Sequence, residues 1–158
     1  MEGSVSRVVA ASPDLVYAAI SDVRRIPEWS AECYRCEWLD SGSDAICGRR
    51  FRGRSRSGLM RWAKTCEVTS ADPPRTFGFR TLASWRSPSS TEWRYDLEPA
   101  AGGTRLAESY VIHRAPPGPL LAVIALLAPH HFDMTPDLAA TLERIDGVLT
   151  GSEGTSRP

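Results

Sequence analysis

Six β-type stretches, at 33–39, 47–56, 59–69, 76–81, 91–98 and 104–113, dominate the middle of this chain, and fewer than a dozen residues separate any one from the next. The connections carry turn chemistry: Ser41-Gly42-Ser43-Asp44, Ser57-Gly58, Asp72-Pro73-Pro74, Ser87-Pro88-Ser89 and Ala101-Gly102-Gly103. Parallel neighbours need a longer crossover, so strands joined this closely must pair antiparallel. A meander with one apolar face must then cover that face.

Both ends of the chain supply cover. A strand at 5–11 runs into Ser12, a good N-cap, and Pro13, whose missing N–H is harmless at the first helical position. Leu15, Val16, Ala19 and Ile20 share one helical face, and a second short turn delivers Pro27-Glu28-Trp29. Further on, Leu138, Leu142, Ile145 and Leu149 descend one face of a longer helix that Thr135 and Pro136 can start. The length of 158 residues fits one domain, expected over 1–150, with 151–158 as a disordered tail.

Strand alternation assigns faces. Thr91, Trp93, Tyr95 and Leu97 alternate with Glu92, Arg94, Asp96 and Glu98, so the first set faces inward. If the next hairpin pairs Leu97 with Leu106, Trp93 lies opposite Tyr110 and Tyr95 opposite Glu108, which puts a carboxylate on the apolar face. A two-residue turn at Ser57-Gly58 pairs Gly53 with Trp62 and Phe51 with Lys64. Phe51, Met60, Trp62, Cys66 and Val68 then face inward, and Arg50, Arg52, Arg54 and Arg56 outward. Tyr34, Cys36 and Trp38 are expected inward, alternating with Arg35 and Glu37.

The inward wall of Tyr34, Trp38, Phe51, Trp62, Trp93, Tyr95 and Tyr110, with Phe77 and Phe79, suits an extended apolar or aromatic ligand. Lys64, Leu138 and Leu142 complete the candidate binding set. Glu108 and Tyr95 are the candidate catalytic groups. A carboxylate buried among rings has a raised pKa and can donate a proton or anchor a ligand hydroxyl. Its contact with Tyr95 is equally a structural hydrogen bond. Lys64, the one lysine among 19 basic residues, can pair with a carboxylate or a ligand acid. A one-residue slip of register would instead turn it to solvent.

Several segments carry a family likeness. They are the opening Ala11–Val23 stretch, Gly48-x-x-Phe51-x-Gly53, Trp62 with Cys66-Glu67-Val68, and Asp72-Pro73-Pro74-Arg75-Thr76-Phe77. Trp93-Arg94-Tyr95, Leu97-Glu98-Pro99, Gly102-Gly103-Thr104-Arg105-Leu106 and Thr141-Leu142-Glu143-Arg144 continue it. In order and spacing the chain resembles the SRPBCC superfamily, the START-like polyketide cyclase/dehydrase and lipid-transport-like proteins. The resemblance implies an α+β helix-grip fold. In it a curved antiparallel sheet of six to seven strands wraps around a long C-terminal helix, with two short helices after the first strand. It also implies that the space left between sheet and helix is the functional site.

Other signals are weaker. On a regular strand, residues three apart point to opposite faces, so the thiols of Cys33-x-x-Cys36 are not expected to converge on a metal or act as a redox pair. His130 and His131, with Asp133 and Asp137, form no evident tetrahedral set. No metal site and no cofactor is expected, and neither a Gly-x-Ser-x-Gly elbow nor a phosphate-cradling glycine loop is present. The run Arg49–Arg56 reads as a solvated strand face, and a net charge of zero gives no bias toward nucleic acid. The start lacks the pattern of a secretory signal, so a reducing cytoplasm is the expected setting for four unpaired cysteines.

The apolar run 120–128 would make a helix only ~14 Å long against a bilayer core of ~30 Å, so stable membrane insertion is not expected. Being apolar all round, it could close over a ligand, mediate a homodimer or pack as core. The expected function is binding of a hydrophobic small molecule, such as a lipid, a polyketide-like aromatic or an isoprenoid. The alternatives are a cyclase or dehydratase using the pocket acid and tyrosine, and a partner-docking protein acting through 120–128.

Overall fold

The computed structural model describes residues 2–42, 44–85, 88–114, 118–119 and 134–151. Strand β1 (Glu2–Val9) leads into helix α1 (Pro13–Ser21) and a 3₁₀ helix (Val23–Glu28). Strands β2 (Cys33–Trp38), β3 (Arg50–Ser57), β4 (Met60–Asp72), β5 (Thr76–Thr81), β6 (Ser90–Ala100) and β7 (Gly103–Arg114) follow, and then helix α2 (Thr135–Gly151). All seven strands form one curved antiparallel sheet in the order β1-β7-β6-β5-β4-β3-β2. This is the helix-grip arrangement. The first two strands lie at opposite margins, and α1 with the 3₁₀ helix spans the chain path between them.

Capping explains the first corner. Ser12 is extended, and its hydroxyl accepts from the Leu15 N–H. Asp22 ends α1 and caps the 3₁₀ helix by accepting from the Arg24 N–H at 3.2 Å. The buried stripe of α1 is Val16, Tyr17, Ala19 and Ile20. Leu15, expected on that stripe, is 59% exposed, and Tyr17 is buried in its stead. The helix is rolled so that Val16, Ala19, Ile20 and Val23 form the i, i+3, i+4, i+7 contact line. At the other corner, Gly103 has φ +145°, and a Cβ there would stand 2.0 Å from the Val9 carbonyl oxygen, so only glycine lets the two chain segments pass.

The β6–β7 hairpin has the expected register, Leu97 with Leu106, Tyr95 with Glu108 and Trp93 with Tyr110. The β3–β4 hairpin is displaced by two residues from expectation. Ser57 pairs with Met60, so the turn is Gly58-Leu59, and Phe51 faces Cys66 while Gly53 faces Lys64. Gly58 has φ +56° at the first central position, where a tight hairpin turn favours glycine. Because the slip is even, no side chain changes face. Met60, expected inward, is 45% exposed beside the hairpin turn.

Strand β2 departs further. Its register shifts between Cys33, opposite Ser55, and Arg35, opposite Arg54, so Tyr34 forms a β-bulge. The extra residue breaks the alternation. Tyr34, expected inward, is 42% exposed, and the Arg56 guanidinium lies 5.7 Å from its ring centre. Cys33 and Cys36 are thereby brought onto the same face, contrary to expectation, with their sulfurs 3.4 Å apart.

Helix α2 buries Leu138, Leu142 and Ile145, and Leu149 packs partly against the core. Its polar side is tied to the first strand. The Asp146 carboxylate accepts from Arg7 Nε at 3.0 Å and from the Ala10 N–H at 3.3 Å. Arg144 also donates to the Trp29 carbonyl at 3.1 Å. Among the described residues, no helix is long and apolar enough to cross a membrane. The run 120–128, His130, His131, Asp133 and the tail 152–158 lie outside the described residues.

Candidate functional site

Directly paired residues of an antiparallel sheet share a face, so the register gives the inner face row by row. One row runs Val5, Glu108, Tyr95, Phe77. The next runs Gly3, Tyr110, Trp93, Phe79, Val68. A third joins Cys66, Phe51 and Trp38, and a fourth Lys64, Gly53 and Cys36. Last comes Trp62, Ser55 and Cys33, toward the hairpin turn.

Rings on these rows touch. Trp38 meets Phe51 edge-on at 5.7 Å, Phe51 meets Phe79 at 5.3 Å, and Phe79 meets Phe77 at 6.0 Å. Trp93 and Tyr110 form a separate pair at 5.8 Å. Phe51, Phe77, Tyr95 and Tyr110 are buried, whereas Trp38, Phe79 and Trp93 keep part of their surface open. Trp62 is half-buried on the same face without joining this chain of rings. Tyr34 is not on it.

Glu108 is the polar exception in the apolar rows, and it is only 3% exposed. Tyr95 Oη donates to its Oε1 at 2.8 Å, while Oε2 has no hydrogen bond among the described residues. Burial pushes this carboxyl up to about 8, against the opposing pull of the tyrosine. Burial next to the same carboxylate drives the Tyr95 phenol well above its usual value. Near neutral pH Glu108 is therefore a neutral acid, with one oxygen engaged and an O–H to offer.

Lys64 stays on the inner face, because the register slip is even. Its partner is Ser89, not a carboxylate: Nζ donates to Oγ at 2.6 Å and to the carbonyl at 3.3 Å. Burial lowers its pKa. Leu138 and Leu142 of α2 are each 1% exposed, and Leu142 packs in the core cluster with the inner-face residues. Among the described residues, no cluster of three or more His, Cys, Asp or Glu side chains could hold a metal ion.

The outer face is of another character. Arg50 pairs with Glu67 at 2.8 Å, and Glu37 takes both Arg35 and Arg54, at 3.0 and 3.2 Å. Arg49, by contrast, is buried over the Trp38 ring at 4.2 Å. It bonds to Asp40 and to the Gly42 and Asp44 carbonyls, fixing the β2–β3 loop. Two surface depressions, of about 280 Å³ against the outer side of β1, β6 and β7 and about 470 Å³ beside Arg56 and Gly58, touch neither the ring chain nor Glu108.

Sequence reasoning missed the meeting of Cys33 and Cys36. The C-x-x-C spacing is itself the signal, and an assumption of regular alternation through Tyr34 hides it.

The family model described as "Polyketide cyclase / dehydrase and lipid transport" matches residues 2–149. Among solved structures, a protein of Thermus thermophilus is similar at TM-score 0.73 with 15% identity, over 96% of this chain and 99% of that one. Ara h 8.0201 is similar at TM-score 0.67 with 13% identity, over 96% and 98%. The di-domain ARO/CYC BexL of the BE-7585A biosynthetic pathway is similar at TM-score 0.66 with 19% identity, over 94% of this chain and 47% of that one. At such identities these likenesses concern the fold alone. No curated protein matches.

Proposed function

The chain belongs to the polyketide cyclase/dehydrase and lipid-transport family, and on that premise we propose that it binds a hydrophobic small molecule against the inner face of its sheet. The ligand class is a lipid, a polyketide-like aromatic or an isoprenoid. The observation that carries this reading is the pairing of a wall of contacting rings with one buried, half-satisfied acid.

The physical roles divide accordingly. Trp38, Phe79 and Trp93 supply apolar area, at roughly 25 cal/mol per Å² removed from water, and the enclosed Phe51 packs behind them. Glu108, held by Tyr95, uses its free O–H to bind a carbonyl or hydroxyl oxygen at the ligand's one polar end. A neutral donor of this kind favours neutral ligands, since it offers an anion no balancing charge. Leu138 and Leu142 close the site from α2, and Lys64 and Trp62 border it toward the hairpin turn.

A second reading is a cyclase or dehydratase. It is favoured by the position of the Glu108 pKa, about 8, near the value at which a general acid works best. Protein purified without detergent, examined by native mass spectrometry and extracted with organic solvent, tests the first reading. A bound apolar molecule supports it. Glu108→Gln separates the two readings, because a carrier keeps most of its affinity through the amide donor. An enzyme loses roughly 10²–10⁴-fold in turnover. Protein that carries nothing and takes up no apolar probe overturns the proposal.

A further inference from the structure

The Tyr34 bulge creates a second chemical feature, independent of any bound ligand. Cys33 lies opposite Ser55 and Cys36 opposite Gly53, and those partners are two residues apart on β3. The two cysteines therefore stand on one face like next-but-one neighbours of a regular strand. Their Cα spacing is then about 6.7 Å at ~3.3–3.4 Å per residue, within the upper end of the disulfide range, ~4.4–6.8 Å. The sulfurs lean together to 3.4 Å. Gly53 leaves the space over them open, since a Cβ there would touch Cys36 Sγ at 3.6 Å and Cys33 Sγ at 3.9 Å.

The partners are chemically unequal. Cys33 is partly exposed and Cys36 is buried. The hydrogen bond from the Cys36 thiol, helped by the Ser55 hydroxyl, lowers the Cys33 thiol to about 7, against the effect of burial. The same contact, followed by burial, pushes Cys36 up. Cys66 is pushed up to about 12 by burial and is the poorer nucleophile, while Cys47 lies exposed at the Thr69 carbonyl.

We propose that Cys33 and Cys36 form a peroxide-oxidisable dithiol that closes to a disulfide on the inner face of β2. The Cys33 thiolate attacks one oxygen of hydrogen peroxide. The O–O bond breaks, Cys33 becomes a sulfenic acid, and the other oxygen leaves as hydroxide and takes up a proton to form water. Cys36 sulfur then gives up its proton and attacks the Cys33 sulfur. The S–O bond breaks and a second water leaves. The two sulfurs have lost two electrons and the peroxide has gained them. Closure asks the sulfurs to approach by about 1.4 Å more, to the ~2.05 Å of an S–S bond.

The test uses the full chain carrying Cys47→Ser, because trypsin leaves Cys36 and Cys47 in one peptide. After treatment with hydrogen peroxide the intact mass should fall by about 2 Da, and a thiol-blocking reagent added afterwards should label one cysteine instead of three. The peptides cut apart at Arg35 should stay joined until a reductant separates them, and Cys66 should be recovered alkylated. With Cys36→Ser added, Cys33 should stop as a sulfenic acid that a dimedone-type probe captures. The proposal is overturned if both thiols stay free in the Cys47→Ser chain. It is equally overturned if Cys33 proceeds to the sulfinic acid with Cys36 still reduced, or if the new bond joins two molecules.

Discussion

Tyr95 and Glu108 face each other across the β6–β7 ladder, and the phenol of one donates at 2.8 Å to the carboxyl of the other, both side chains being buried. This bond fixes which carboxyl oxygen is engaged and which is free. It also ties stability to pH. In the unfolded chain Glu108 titrates near ~4.3, and in the folded protein at about 8. Between those values the native state holds the extra proton. The contribution to stability is thus complete below the lower value and is lost as pH rises through the upper one.

Thermal unfolding followed from pH 5 to 8.5 should accordingly show wild-type stability declining, by an amount on the order of a few kcal/mol. Glu108→Gln, which cannot ionise, should flatten that decline. An equal slope in both proteins contradicts a protonated Glu108.

Tyr95→Phe removes a donor that favours the charged carboxylate, so the Glu108 transition should move to still higher pH. Leaving Oε1 without its partner should cost about 1–3 kcal/mol. A double-mutant cycle with Glu108→Leu, which removes the acceptor, measures the coupling. Strictly additive effects would mean that the bond contributes nothing.

Uptake of a fluorescent fatty acid or polycyclic probe should weaken on Trp93→Ala or Phe79→Ala. Tyr34→Ala should leave it unchanged, since the bulge turns that ring outward. Phe51→Ala should act mainly on folding, at about 3–5 kcal/mol, because Phe51 is fully enclosed. Binding titrations paired with denaturant curves separate the two effects.

Asp146 should matter through its backbone contact more than through its charge. Asp146→Asn keeps an acceptor for the Ala10 N–H and loses only a half-exposed ion pair with Arg7, so a cost within about 1 kcal/mol is expected. Asp146→Ala loses both and should cost more. Equal denaturant midpoints for the two variants would contradict this assignment.

Wherever local chemistry fixes geometry, the structure was legible from the residues. Ser12 and Pro13 start α1, and the Ala101-Gly102 turn sets β6 against β7, so Tyr95 could be placed opposite Glu108. The i, i+4 spacing of Leu138 and Leu142 marked the buried side of α2. The misreadings arose where the deciding term is non-local. Leu15 and Tyr17 flank the apolar stripe of α1 on opposite edges, and packing on the sheet rolls the helix toward the ring. Ser57-Gly58 and Gly58-Leu59 both offer a turn, and pairing along the whole of β3 and β4 selects the second. Nothing in Cys33–Trp38 itself announces an inserted residue. That bulge depends on how β2 meets β3, and it moved one candidate ring out of the site and two sulfurs together.

The same kink bears on how copies of this protein coexist at high concentration. β2 is a terminal strand, and a straight, evenly hydrogen-bonded margin is a template on which a second molecule can add its own strand. By interrupting the spacing of donors and acceptors at Tyr34, and by flanking it with Arg35 and Glu37, the chain denies that template a continuous run. Deleting residue 34 would restore an even margin and invite stacking into fibrils.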